Sequence, residues 1–150
     1  MLIQKASYED LEDILSLQKI CYVSEAQIIN NYSIQPLTQK LSDIQKEFGT
    51  NLILKAEENG EIIGSVRGYE ENGTCHIGKL IVRPDFQNKG IGSLLLKEIE
   101  KSFSHCSRYE LFTGFKSAKN LYLYEKHGYK KIKIEKINDI LSFVFLEKQV

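Results

Sequence analysis

The 150-residue chain has no net charge, with 20 Lys and Arg set against 20 Asp and Glu. That balance removes the electrostatic footprint of a nucleic-acid or anionic-membrane binder, so any anion site has to be local. No apolar run approaches the roughly 20 residues of a membrane span, and the amphipathic N-terminus "MLIQKASYEDLEDIL" lacks the basic and apolar regions of a secretory signal. The expectation is a cytoplasmic protein without a nucleic-acid or membrane partner. Cysteine is scarce: Cys21, Cys75 and Cys106 are odd in number and far apart, with no C-x-x-C spacing, which argues against a disulfide framework or a zinc knuckle. His76, His105 and His127 show no paired spacing that would gather metal ligands, so no metal is expected. Repeats, linkers and low-complexity segments are also missing. With 42% apolar and 27% charged residues, residues 1–150 read as one domain with enough chain to bury a core.

What is present alternates between strand and helix patterns. "LIQKA" (Leu2 to Ala6) reads as a short strand, and Ser7 can N-cap a helix, with Asp10 three residues on completing an approximate capping box. Leu11, Ile14, Leu15 and Gln18 follow at helical spacing. Cys21 to Leu37 reads as broken helix and loop, and Thr38 to Phe48 as a short helix ended by Gly49. Three strand-like runs follow, "NLILKAEE", "EIIGSVRGYEE" and "TCHIGKLIVR", separated by Asn59-Gly60 and Asn72-Gly73. Asn-Gly between strands signals a type I′ turn, which needs positive φ at both positions, so an antiparallel meander is expected. Gly90 to Ser104 then reads as a helix with Ile91, Leu94, Leu95, Ile99 and Phe103 on one face. "RYELFTGF" gives a strand, "SAKNLYLYEKHG" a helix closed by Gly128, and "YKKIKIEKI" with "ILSFVFLEK" a final alternating pair around an Asn138-Asp139 turn.

The glycines of "QNKGIGS" stand at a helix entrance. The first N–H groups of a helix have no intrahelical partner and carry the positive end of its dipole, so they receive an anion if backbone can approach it. Gly90 and Gly92 permit that approach or, more plainly, a sharp strand-to-helix turn. A Rossmann fingerprint would need a third glycine where Leu95 stands, and a P-loop would need the lysine after the glycines rather than at Lys89.

"LIVRPDFQNKGIGSLLLKEIE" resembles the central motif of the Gcn5-related N-acetyltransferase (GNAT) family: a strand ending in V-x-P, an aromatic, Q/R-x-x-G-x-G/A, then an amphipathic helix. "NLYLYEKHGYKKI" is similar to the family's later L-Y-x-K-x-G-F/Y motif, with Tyr124, Lys126, Gly128 and Tyr129 in register. The two motifs and the element order cover nearly all of the chain. The resemblance implies an α+β acyl-CoA N-acyltransferase fold: a central mixed, mostly antiparallel sheet of six to seven strands with about four helices. It also implies acetyl-CoA as co-substrate, its pyrophosphate held by Gln87, Asn88, Lys89, Gly90, Ile91, Gly92 and Ser93. The pantetheine arm would pair with the strand end at Leu80, Ile81 and Val82, where the family splays two strands.

Transfer of an acyl group to an amine needs a neutral amine, a polarised carbonyl and a proton for the leaving thiolate. The resemblance puts a polarising backbone N–H near Val82 and makes Tyr124 the proton donor, although packing in the helix core is the plainer reading of a tyrosine in "LYLYEKHGY". The family pattern has Asn seven residues and Ala four residues before this tyrosine. Ser117 and Asn120 hold those places here, so the coenzyme contact lies between them, with Asn120 favoured. Glu25 is the candidate base, with Tyr22, Tyr32 and Pro36 lining an acceptor pocket in Tyr22 to Phe48; a solvated surface glutamate is the alternative. Glu70 and Glu71 fall at an exposed hairpin end. The acceptor implied is a primary amine of a small molecule or peptide. A longer acyl donor, a hydroxyl acceptor and an idle acyl-CoA-binding regulatory module are the alternatives. The resemblance also allows a homodimer through the C-terminal strands, and burial in a monomer accounts for "ILSFVFLEK" equally well.

Overall fold

A computed structural model describes residues 1–150. The chain runs β1 (Leu2–Lys5), a 3-10 turn at Tyr8–Asp10, α1 (Leu11–Ile29), α2 (Gln35–Thr38), α3 (Leu41–Phe48), β2 (Leu52–Glu58), β3 (Glu61–Glu71) and β4 (Thr74–Val82). A second 3-10 turn at Pro84–Phe86 leads to α4 (Ile91–Ser102), β5 (Arg108–Gly114), α5 (Ala118–Lys126), β6 (Lys130–Lys136) and β7 (Ser142–Gln149). All seven strands form one sheet in the order β1-β2-β3-β4-β5-β7-β6. Only β4 and β5 run parallel; every other neighbouring pair is antiparallel. This is the expected mixed sheet, with five α-helices rather than about four. No helix is long and apolar enough to cross a membrane.

Both Asn-Gly turns have the backbone that their sequence demands: φ is 52° and 79° at Asn59 and Gly60, and 52° and 80° at Asn72 and Gly73. Further along the β3–β4 ladder the register slips. Ser65 faces Ile81 and Arg67 faces Gly78, so Lys79 and Leu80 together oppose Val66. This is a β-bulge. Lys79 takes φ 51° to make it, a conformation that non-glycine residues seldom adopt. Just before the bulge β4 loses its other neighbour, β5, while it stays paired with β3. It pairs with β5 only over Thr74–His76 and Arg108–Glu110, while β5 continues alone with β7 to Gly114. The sheet is therefore split from Ile77 onward, and the split opens the site.

α4 packs on one face of the sheet through Ile91, Leu95, Leu96 and Ile99, all buried with β2–β5 side chains in the main core, each contributing roughly 1.5–3 kcal/mol. Leu94, expected on this face, is 43% exposed, and Leu96 takes its place. Gly64 on β3 makes the close approach feasible: a Cβ there would lie 2.9 Å from Leu95 Cδ1 and 3.1 Å from the Ile81 carbonyl oxygen. A second core of Ala6, Leu11, Ile14, Leu15, Ile44 and Ile53 gathers residues of α1 and α3 with β2.

Some local expectations need correction. Ser7 begins a 3-10 turn before α1, its backbone N–H and Oγ both donating to Asp10 Oδ2, at 2.8 and 3.0 Å. α1 does not break at Cys21 but runs to Ile29, ending where Asn30 turns left-handed. The helix expected from Thr38 starts at Leu41, and Gly49 ends it with an ordinary φ of −74°. β6 is an edge strand exposed along its whole length, its lysines discouraging further pairing. The final hairpin turns through Asn138, whose Oδ1 accepts from the N–H groups of Ile140 and Leu141 at 2.9 Å each.

Candidate active site

The entrance to α4 presents a row of free donors. The backbone N–H groups of Asn88, Lys89, Gly90, Ile91, Gly92 and Ser93 donate to nothing in the protein. Asn88 (φ 63°) and Gly90 (φ 83°) bend the loop around them. The loop, the β4 end and α5 enclose a cavity of about 560 Å³, lined by Leu80, Ile81 and Val82 and by Gln87, Asn88 and Gly90 to Ser93. Six adjoining N–H groups at a helix terminus fit an anion such as a pyrophosphate, and the unpaired β4 edge fits an extended arm. Side chains add to the cradle: Gln87 Nε2 donates to the Val82 carbonyl at 3.0 Å, and Lys119 Nζ donates to Gln87 Oε1. Lys89 does not reach into the loop. Its Nζ lies 5.0 Å from the centroid of the Phe86 ring. Ser93 Oγ is bonded to His127 Nε2 at 2.8 Å.

Gly90 is a place where only glycine is unstrained. An added Cβ would meet nothing within 4 Å, so the cost of Gly90→Ala is that of left-handed backbone, about 1 kcal/mol. A thermal melt followed by circular dichroism should show Tm lower by roughly 2–4 °C, and an unchanged Tm would contradict the strain.

A second cavity, of about 1090 Å³, opens on the other side of the split. The two share Tyr22, Glu25, Ile28, Leu80, Ser117 and Asn120. At this junction α1 and the start of α5 meet. Ser117 Oγ donates to Glu25 Oε1 at 2.7 Å, and Asn120 Nδ2 donates to the same oxygen at 3.2 Å and to Thr113 Oγ1 at 3.2 Å. Glu25 Oε2 accepts no hydrogen bond; it faces Gly114, 3.8 Å from where a Cβ would stand. Ser117 and Asn120 both line the smaller cavity, and both hold the carboxylate of Glu25. No cation pairs with that carboxylate.

Tyr124, one turn beyond Asn120, lines the larger cavity. Its ring is part of the main core, and its hydroxyl is neither bonded within the protein nor sealed from the cavity. Burial, reinforced by Tyr22 and Glu25, pushes its phenol above the usual value, so it is protonated at neutral pH. Tyr22 is raised in the same way, by burial and then by Glu25.

The larger cavity differs from the pocket expected in Tyr22 to Phe48. Tyr22 and Pro36 do line it, whereas Tyr32 is not part of its wall and is 54% exposed. Much of its wall comes instead from β4, β5 and the segment from Ile137 into β7, with the Phe112 ring tilted against those of Phe143 and Phe145 at centroid distances of 4.8 and 5.2 Å. Nothing in the sequence singled out Arg67, although an arginine inside the apolar run "IIGSVRGY" was a signal. It is 3% exposed, with Nη2 donating to Gln18 Oε1 at 2.6 Å and Nη1 to Glu47 Oε2 at 2.8 Å. Gln39 ties the group together, accepting from Gln18 Nε2 at 2.8 Å and donating to Glu47 Oε2 at 2.7 Å. Away from both cavities, the fold brings Glu70, His105 and Cys106 within 4.8 Å of one another, a cluster that sequence spacing had not indicated.

The family model described as an acetyltransferase (GNAT) domain matches residues 23–150. UPF0157 protein YqkA of Bacillus subtilis is 31% identical over 122 residues, which are 79% of this chain and 34% of that protein. The chain thus spans about a third of the length of that relative. Among solved structures, PaiA N-acetyltransferase from Thermoplasma acidophilum in complex with coenzyme A superposes with a TM-score of 0.82 at 20% identity, covering 99% of this chain and 98% of that one. A ribosomal-protein-alanine N-acetyltransferase from Brucella melitensis gives 0.76 at 18% identity over 100% of both chains. YncA from Salmonella typhimurium, with acetyl-CoA, gives 0.77 at 18% identity over 99% of this chain and 93% of that one. These likenesses establish the fold of the seven-stranded sheet and its helices.

Proposed function

The chain belongs to the GNAT acetyltransferase domain family, and from that premise we propose that it transfers an acetyl group from acetyl-CoA to a primary amine of a small molecule or peptide, by direct attack on the thioester. The observation that carries this reading is the junction: two cavities meet at one uncompensated carboxylate, Glu25, with a protonated phenol, Tyr124, beside it. The smaller cavity suits coenzyme A and the larger one the acceptor. When bound, acetyl-CoA supplies the activated acetyl group and a thiol leaving group.

The residues divide the remaining work. The N–H groups from Asn88 to Ser93 hold the pyrophosphate, and the unpaired β4 edge at Leu80, Ile81 and Val82 aligns the arm so that a backbone N–H polarises the acetyl carbonyl. Glu25 Oε2 takes a proton from the acceptor amine while Ser117 and Asn120 fix Oε1. Tyr124 gives its hydroxyl proton to the departing sulfur. The neutral net charge and the mixed polarity of the larger cavity agree with a small or peptidic acceptor.

Two measurements test the reading. Acetyl-CoA at a hundred times its Kd should stabilise the fold by about 2.7 kcal/mol, raising Tm by several degrees. Free thiol should then appear when acetyl-CoA is incubated with a panel of primary amines and the protein. Stabilisation without thiol release from any amine would favour the binding module, and the absence of both would remove the coenzyme assignment.

A further inference from the structure

The larger cavity holds cations that the protein itself does not satisfy. Lys79 sits at the β4 bulge, half-buried in the cavity wall, and its Nζ has no salt bridge and no hydrogen bond. Across the ladder lies Arg67, whose pairing partner is Gly78 next to it. The Arg67 guanidinium has one carboxylate, Glu47, and its Nε is buried without any partner. Burial and the nearby Arg67 both depress the Lys79 ammonium, and Glu47 alone opposes them. The other acids of the cavity do not help: Glu110 is engaged by Arg108 at 2.6 Å and by His76 at 3.6 Å, and Asp139 is exposed and pairs with Lys136 at 3.5 Å. One end of the cavity thus carries two cations against a single, shared carboxylate.

The opposite sign prevails at the junction, where Glu25 has only neutral donors. Tyr22, in the same cavity wall, is close enough to both Glu25 and Arg67 to feel their charges. A desolvated ammonium next to a second cation is costly unless an anion completes the group, and an acceptor that brings an anion to Lys79 and an amine to Glu25 satisfies both ends at once.

We propose that the acceptor is an amine that also bears a carboxylate, the carboxylate received by Lys79 and the Arg67 group while the amino group meets Glu25. This rests on the transferase reading above and narrows its substrate class. Lys79 is a specificity residue in this scheme. It does not touch the reacting atoms.

The test uses matched amines with and without the carboxylate: L-phenylalanine with phenethylamine, L-tyrosine with tyramine, and a dipeptide with its C-terminal amide. For the wild type, kcat/KM should favour the carboxylate member of a pair by about tenfold or more, the worth of one charged hydrogen bond. In Lys79→Met the ratio should collapse toward one, mainly through KM, and Lys79→Arg should restore it. Retained stabilisation of each variant by acetyl-CoA shows that fold and coenzyme site are intact. If no amine is turned over, the same pairs are compared by thermal stabilisation in the presence of coenzyme A, so the two readings fail separately. No preference for carboxylates in either assay, or a Lys79→Met effect equal on both members of each pair, overturns the proposal.

Discussion

Tyr124→Phe should lower kcat by about 100-fold, the lower range for loss of a general acid, with affinity for acetyl-CoA nearly unchanged. The substitution removes one oxygen and keeps the ring, which packs in the main core 6.1 Å from the Tyr129 ring. Stability should therefore hardly move. The hydroxyl has no protein partner to orphan, so its removal leaves no unsatisfied group behind. Burial weakens Tyr124 as an acid, yet the same desolvation strengthens a thiolate in that cleft as a base, and Tyr124 can still deliver its proton. Thiol release at saturating acetyl-CoA gives kcat, and a thermal titration gives the affinity. An unchanged kcat would return Tyr124 to the role of a core residue.

The parts of this site that were legible in the sequence are those in which backbone conformation and residue type are locked together. Asn59-Gly60 and Asn72-Gly73 announced their turns because few other residues accept positive φ at both positions. Gly90 marked the loop for the same reason. α1 was harder to read past Cys21, since its periodicity is that of a helix with more than one environment. Gln18 is fully buried in the Arg67 network, Tyr22 and Glu25 face the cavities, and Ile20, Val23 and Ile28 are exposed. A single apolar stripe never forms. The strand split was equally hidden, because it is a loss of pairing between β4 and β5 beyond His76 and Glu110, and pairing is not written in either strand alone.

Charge shows the same division between local and global information. Nothing in the sequence relates Glu25 to Lys79 or Arg67, three charged residues in a chain with no net charge. Only the fold sets an acid at the junction and two cations elsewhere in the wall of one cavity. Such an arrangement can orient a zwitterionic acceptor without any excess of one sign in the composition.

Glu25→Gln carries the second large effect, and its pH dependence distinguishes a base from a structural tie. The amide keeps an oxygen for the bonds from Ser117 and Asn120, so α1 and α5 should stay joined and acetyl-CoA stabilisation should persist. What disappears is the basic oxygen that now accepts nothing. An alkyl amine with a pKa near 10 is neutral in only about one molecule in a thousand at pH 7, and without a base the variant must wait for that fraction. Its kcat/KM at pH 7 should fall on the order of 100-fold. As pH rises, the neutral fraction grows about tenfold per unit until the pKa of the amine is reached, so the variant should climb with near-unit slope and the deficit should narrow. A deficit constant across pH would mean that Glu25 places α5 without taking a proton, and full activity in the variant would remove it from the chemistry altogether.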